Sequence, residues 1–222
     1  MLPTQYKINR EEISLPGMTV HMDTIADIDS LFDELIRKGE HHPDVVDEKI
    51  PYWADLWPSA IALAEYLCLQ PVVSEKTTVL EIGCGLGLPG ITAGKFGASV
   101  VITDYMQEPL IFAEHNWYLN NKFSAEFKLL DWRSPDPNLS ADVILAADVA
   151  YESKAFADLI LSFKTLIKPG GVLILAEPNR AFAKTFFDKL RTDGFLLYTD
   201  QTFVERHGQK TLVNIHKIYF SH

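Results

Sequence analysis

The chain has 222 residues, with 20 basic against 30 acidic side chains and a net charge of −10. That length suits one domain with a sizeable core, or one domain and an extension, and the acidic balance repels nucleic-acid phosphate and anionic lipid. No apolar run approaches the ~18 residues of a transmembrane helix, and the start Met1-Leu2-Pro3-Thr4 carries no signal-peptide core, so the expectation is a cytoplasmic protein with neither a membrane nor a nucleic-acid partner.

The first 50 residues read as an extension of the main domain, which occupies residues 51–222. Tyr6 to Leu15 and Met18 to Met22 predict a small hairpin, and a helix follows near Ile28 to Arg37. His41-His42-Pro43 opens a polar linker; no third ligand at metal-site spacing accompanies the two histidines, so no metal is expected. The linker ends in an aromatic segment, Ile50 to Pro58, ahead of a helix from about Ser59 to Leu69. An aromatic residue before a helix is more often a hydrophobic staple or core residue than a ligand contact, so position alone assigns neither Trp53 nor Trp57. Only Cys68 and Cys84 are present, which suggests neither a disulfide framework nor a cysteine-based zinc site.

From residue 76 onward, short β-rich runs alternate with amphipathic segments, the pattern of an α/β domain with a parallel sheet. Strands are predicted at Thr77 to Ile82, Ser99 to Thr103, Glu126 to Leu130, Ala141 to Ala146 and Val172 to Ala176. Helices are predicted from Pro89 to Phe96, Gln107 to Asn120, Ala155 to Ile167 and around Ala181 to Arg191, with Pro169-Gly170-Gly171 as a stop. Phe195 to Val204 and Thr211 to Phe220, separated at Gly208, read as a terminal hairpin that adds an antiparallel strand to the sheet.

The most specific segment is Val79 to Gly90, in which a buried strand runs into Gly83-Cys84-Gly85-Leu86-Gly87 and then a helix start. Glycines permit positive φ and close backbone approach, and the helix start offers unpaired N–H groups. Gly85 to Gly90 also satisfies the dinucleotide pattern G-x-G-x-x-G, a weak match taken alone. Glu81, two positions before Gly83, would set a carboxylate against a pyrophosphate, and no Lys or Arg lies between Lys76 and Lys95 to offset it. S-adenosylmethionine (SAM) carries an ammonium and a sulfonium, which an acidic strand end favours. SAM is therefore the expected ligand; a nicotinamide or flavin dinucleotide, or a ligand-free turn, stays open.

Acids recur at the strand ends. Asp104, about 20 residues beyond the loop, is placed to accept both ribose hydroxyls or to cap a helix. Asp131, followed by Trp132, can meet an adenine amino group beside an apolar wall, or serve a turn. Asp148-Val149-Ala150-Tyr151 follows the fourth predicted strand, where an open α/β sheet presents its ligand crevice. Asp148 would orient a substrate amine and Tyr151 would pack on it; a cap and a core tyrosine is the plainer alternative.

Together these segments resemble the class I, seven-β-strand SAM-dependent methyltransferases, and more narrowly the protein lysine methyltransferase group that includes nicotinamide N-methyltransferase-like proteins. The narrower likeness rests on Trp57-Pro58-Ser59-Ala60, on Glu81 to Gly90 and on Asp148-Val149-Ala150-Tyr151. The resemblance implies a Rossmann-like fold with a C-terminal antiparallel hairpin. It also implies SAM contacts at Trp57, Glu81, Gly83, Gly85, Gly87, Asp104, Asp131 and Trp132, and an acceptor site at Asp148 and Tyr151. The implied reaction is N-methylation of a lysine on a protein substrate by in-line displacement, with S-adenosylhomocysteine as product. A small-molecule amine methyltransferase, an NAD(P)-dependent oxidoreductase and a non-catalytic SAM-binding module are the other readings.

Overall fold

The computed structural model describes residues 2–3, 5–180 and 183–220. The chain opens with an antiparallel hairpin, β1 (Ile8–Leu15) and β2 (Met18–Ile25), turned at Pro16-Gly17, where Gly17 has φ 79°. Pro followed by a positive-φ Gly is the type II turn combination. β2 runs past the predicted Met22 because Ile25 still pairs with Ile8. Helices α1 (Asp29–Arg37) and α2 (Pro43–Val46) follow, the second inside the stretch read as a linker, where His42 Nδ1 accepts the Asp44 N–H. A 3-10 turn, Pro51–Ala54, leads into α3 (Pro58–Leu69).

The main sheet then forms: β3 (Thr78–Ile82), α4 (Leu88–Lys95), β4 (Ser99–Asp104), α5 (Gln107–Asn120), β5 (Glu126–Leu129), β6 (Ala141–Ala147), α6 (Phe156–Leu166), β7 (Ile167–Glu177), α7 (Ala183–Thr192), β8 (Phe195–Arg206) and β9 (Gln209–Phe220). The strand order is β5-β4-β3-β6-β7-β9-β8. β3 to β7 are mutually parallel, and β9 alone runs against its neighbours β7 and β8. This is the expected Rossmann-like sheet with its C-terminal antiparallel hairpin. Of the helix expected over Ala181 to Arg191, Ala181 and Phe182 lie outside the described residues.

The centre of the sheet is covered on both faces because β3, β6 and the second half of β7 are apolar at nearly every position. Val79, Val143, Leu145, Ile174 and Ile215 join one core with residues of α3, α4 and α5, while Leu80, Ile144, Leu173, Leu175 and Ile218 join the other with residues of α6 and α7. Successive residues thus feed opposite cores, as the two-residue strand period requires.

Pro169-Gly170-Gly171 lies inside β7 instead of ending a helix before it. Ile167 already pairs with Ala141, the register then shifts before Val172 meets Val143, and Gly170 takes φ 78°. A side chain at Gly171 would put Cβ 2.8 Å from the Asp142 carbonyl. The breaker residues therefore mark an irregularity in the ladder.

β2 packs against α5, where two asparagines replace a neighbouring strand. Asn116 Oδ1 accepts the Asp23 N–H at 2.8 Å, while Asn120 accepts from the His21 N–H at 2.9 Å and donates to the His21 carbonyl at 2.7 Å. Backbone groups that would otherwise form an open edge are satisfied.

Candidate cofactor and acceptor site

The strand order reverses around β3, with β4 on one side and β6 on the other, which opens a crevice beyond their carboxyl ends. Gly83, Gly85 and Gly87 occupy it with φ values of 61°, 52° and 83°, a region that costs other L-residues about 1–2 kcal/mol. The loop is also tightly packed. A Cβ at Gly83 would lie 2.9 Å from Val149 and 3.2 Å from Trp132, and one at Gly87 would lie 2.9 Å from the Ala113 Cβ.

Asp104 ends β4 beside this loop. Its Oδ2 accepts the Gly85 N–H at 3.1 Å and its Oδ1 accepts the Met106 N–H at 3.2 Å. Burial pushes its carboxyl up to about 6 against those donors. A carboxylate offers about four acceptor positions, so both oxygens retain capacity for further donors.

Glu81 is turned away from solvent. It is 2% exposed, its Oε2 accepts the Gly90 N–H of α4, and burial pushes its carboxyl up to about 8. It therefore sits under the loop and the start of the helix. Cys84 is likewise buried, with its thiol pushed well above the usual value by burial, so it is no ready nucleophile.

Trp132 stands against Gly83, and its buried Nε1 has no hydrogen-bond partner. Asp131 is held by its second neighbour: Arg133 donates to both carboxylate oxygens at 2.7–3.0 Å and lies 5.2 Å over the Tyr105 ring. The Tyr105 hydroxyl in turn donates to Asp47, on the segment after α2. Arg133 and Tyr105 thus tie the Asp131 edge of the crevice to the N-terminal extension, a link the linear sequence gave no reason to expect.

Trp57 is half-buried and donates from Nε1 to the Tyr52 carbonyl at 2.7 Å. The Tyr52 ring stands edge-on to Trp57, Phe32 and Tyr151, with centroids 5.8–6.2 Å away. Trp53, by contrast, is buried against Phe112, and its carbonyl covers Gly85. Trp57 and Tyr151 therefore meet through Tyr52, a residue of the aromatic segment Ile50 to Pro58 that sequence position alone does not mark.

Asp148 has φ 53°, an uncommon conformation for a residue other than Gly. Its N–H is fixed by the Ala176 carbonyl at 2.8 Å. Its side chain is 9% exposed, and Arg180 donates to both oxygens, from Nε at 3.2 Å and from Nη2 at 2.8 Å. Burial raises the Asp148 carboxyl and the guanidinium opposes that rise. Tyr151 remains protonated, its hydroxyl pushed up to about 12 by burial and by nearby acids. Arg180 could not be read from its position, since the pairing spans 32 residues. Among the described residues no group of three or more His, Cys, Asp or Glu is placed to hold a metal ion.

The sheet and its strand-end crevice define a class I methyltransferase fold. A ribosomal protein L11 methylase from Lactobacillus delbrueckii subsp. bulgaricus superposes with a TM-score of 0.56 at 22% identity, covering 73% of this chain and 77% of that one. Residues 50–193 match the lysine methyltransferase family, and the chain belongs to that family. It is 32% identical over 68% of its length to a protein-lysine methyltransferase of Mus musculus, of which 67% is covered. It is also 35% identical over 53% of its length to a histone-arginine methyltransferase of Xenopus laevis. The match spans about half of that relative, 53%.

SAM is the cofactor of this fold and family. The crevice fits it on the chain's own geometry: free acceptor capacity on Asp104 and an orphaned Trp132 Nε1, both beside the positive-φ glycine loop.

Proposed function

We propose that this chain N-methylates a lysine of a protein substrate, with residues 51–222 as the catalytic domain and residues 1–50 as an N-terminal hairpin and helix extension. The observation that carries this reading is the loop after β6, which sets Asp148 and the exposed Tyr151 on either side of Val149, the residue packed against Gly83. Trp57, Glu81, Gly83, Gly85, Gly87, Asp104, Asp131 and Trp132 form the cofactor side. Asp104 holds the ribose hydroxyls, Asp131 and Trp132 border the adenine, and Glu81 braces the loop from beneath through the Gly90 N–H.

When bound, SAM supplies a methyl group already activated on a sulfonium. The chain's own contribution is proximity and alignment, which are worth ~7–11 kcal/mol in favourable cases. A lysine has an unperturbed pKa of ~10.4 and must arrive without its proton. Asp148 with Arg180 is a neutralised pair, so it orients an amine without strongly favouring the ammonium form. Tyr151, with Tyr52, forms the aromatic wall for the alkyl stem. The free thiols Cys68 and Cys84 are consistent with the reducing cytoplasm as the place of action.

A second reading takes arginine as the acceptor. It is favoured by the guanidinium already docked on Asp148, together with the relative named a histone-arginine methyltransferase. Transfer of labelled methyl from SAM into a lysate, followed by hydrolysis of the protein fraction, tests both. Methyl-lysine supports the proposal, methyl-arginine supports the second reading, and label confined to small molecules overturns both.

A further inference from the structure

Beyond the crevice, the end of β7, the middle of β9 and the start of α7 border a second cleft of about 440 Å3, lined by Glu177, Asn179, Arg180, Lys184, Asn214 and His216. Its acceptors each already hold a donor. The Glu177 oxygens accept from Asn214 Nδ2 and from the Arg180 N–H, Asn179 Oδ1 accepts from Asn214 Nδ2 at 3.1 Å, and Asn214 Oδ1 accepts from Gln201.

Donors are left over. Arg180 commits Nε and Nη2 to Asp148 but not Nη1. Lys184 is exposed and has no ion pair among the described residues. His216 is only 5% exposed and stacks 3.9 Å from the Phe187 ring centroid. Its Nδ1 is shared with Thr199 Oγ1 at 2.8 Å, while Nε2, 3.5 Å from Glu177 Oε1, has no hydrogen-bond partner. Buried polar atoms are normally satisfied, so a buried orphan lining a cleft marks a ligand position.

We propose that this cleft is a specificity subsite that receives the carboxylate of an Asp or Glu neighbouring the methylated residue in the acceptor protein. Arg180 Nη1, Lys184 and, in the tautomer whose Nδ1 accepts from Thr199, His216 Nε2 are donors for an acceptor-rich ligand, and a carboxylate accepts from several N–H groups at once. The overall negative charge of the chain opposes anions elsewhere on its surface, which makes a local donor cluster selective. Arg180 is the wall shared with Asp148, so the ligand belongs to the same acceptor segment. The assignment rests on the protein-methylation reading for the identity of that segment.

The test uses peptides with one central lysine and Glu, Gln or Lys at each flanking position, scored for binding to the full chain in the presence of S-adenosylhomocysteine and, separately, for methyl transfer from SAM. The wild-type chain is expected to bind Glu-flanked peptides about five-fold or more tightly than Lys-flanked ones. Lys184→Glu should abolish or invert that order, and Lys184→Arg should keep it. Equal affinity for Glu- and Lys-flanked peptides, an unchanged preference in Lys184→Glu, or binding to none of the peptides would overturn the subsite. A charge preference in binding with no methyl reaching any lysine would support the cleft and sink the lysine acceptor reading, so the two failures are separable.

Discussion

Arg180 grips both carboxylate oxygens of Asp148 across the carboxyl ends of neighbouring strands β6 and β7, and each of the two strand ends carries a residue with φ 53°, Asp148 and Asn179. Positive φ outside glycine persists only where the surroundings over-determine it. Here the Ala176 carbonyl and the Glu177 carboxylate do so, by accepting from the Asp148 and Arg180 amides.

This pair gives the first prediction. Asp148→Ala should reduce methyl transfer by about 100-fold or more, in the range of a lost positioning or proton-handling group, while SAM affinity measured by calorimetry changes by less than about three-fold. Equal losses in both would place Asp148 in cofactor binding or in folding.

Asp104→Ala should act on the other half of the site. Removal of a charged acceptor typically costs about 1.5–3 kcal/mol, so SAM affinity should fall by about 10- to 150-fold. Calorimetric titration reads this directly, and unchanged affinity would remove Asp104 from the ribose position.

Glu81 predicts a pH dependence of stability without ligand. Its folded carboxyl stands near 8, above the value of an unfolded glutamate, so between those limits the native chain holds a proton that the unfolded chain has lost. Stability from this group is therefore full at acid pH and declines as pH rises through about 8, by at most ~1.4 kcal/mol per unit. Asp104, raised to about 6, adds a decline of the same sign at lower pH. Denaturant midpoints measured from pH 5 to 8 should fall less steeply in Glu81→Gln; identical slopes would count against the buried acid.

Gly87→Ala combines a positive φ of 83° with a Cβ placed 2.9 Å from the Ala113 Cβ. Left-handed strain and overpacking together should cost about 2–4 kcal/mol, lowering the thermal midpoint by about 5–15 °C. A scanning-calorimetry shift under two degrees would mean that α5 yields at Ala113.

The parallel sheet was legible in the sequence because short β-rich runs alternate with helical periodicity around most of its strands; β5 passes to β6 without a helix of that kind. The terminal hairpin was legible because Gly208 interrupts two β-rich runs with no helical segment between them. Local chemistry also located the glycine loop and the strand-end acids. Pro169-Gly170-Gly171 reads as lying outside any strand, since nothing in that triplet reports that Ile167 finds Ala141 as a partner. Nor does local sequence locate Arg180 on Asp148, Tyr105 on Asp47 or the asparagines of α5 on β2, because each contact is fixed by tertiary packing and not by neighbours in the chain. Tyr52 could have been found, since an aromatic five residues before Trp57 lies in a segment already marked as unusual.

The late entry of β9 between β7 and β8 bears on how this protein can be divided. The family match ends at residue 193, before either strand of the hairpin. Cutting there would strip the β9 ladder from Leu173 to Glu177 and bare the edge of β7 along its most apolar stretch. A fragment chosen by family boundaries would thus gain a sticky flank and aggregate, whereas fusion partners are better attached beyond the last hairpin strand, where no sheet pairing is broken.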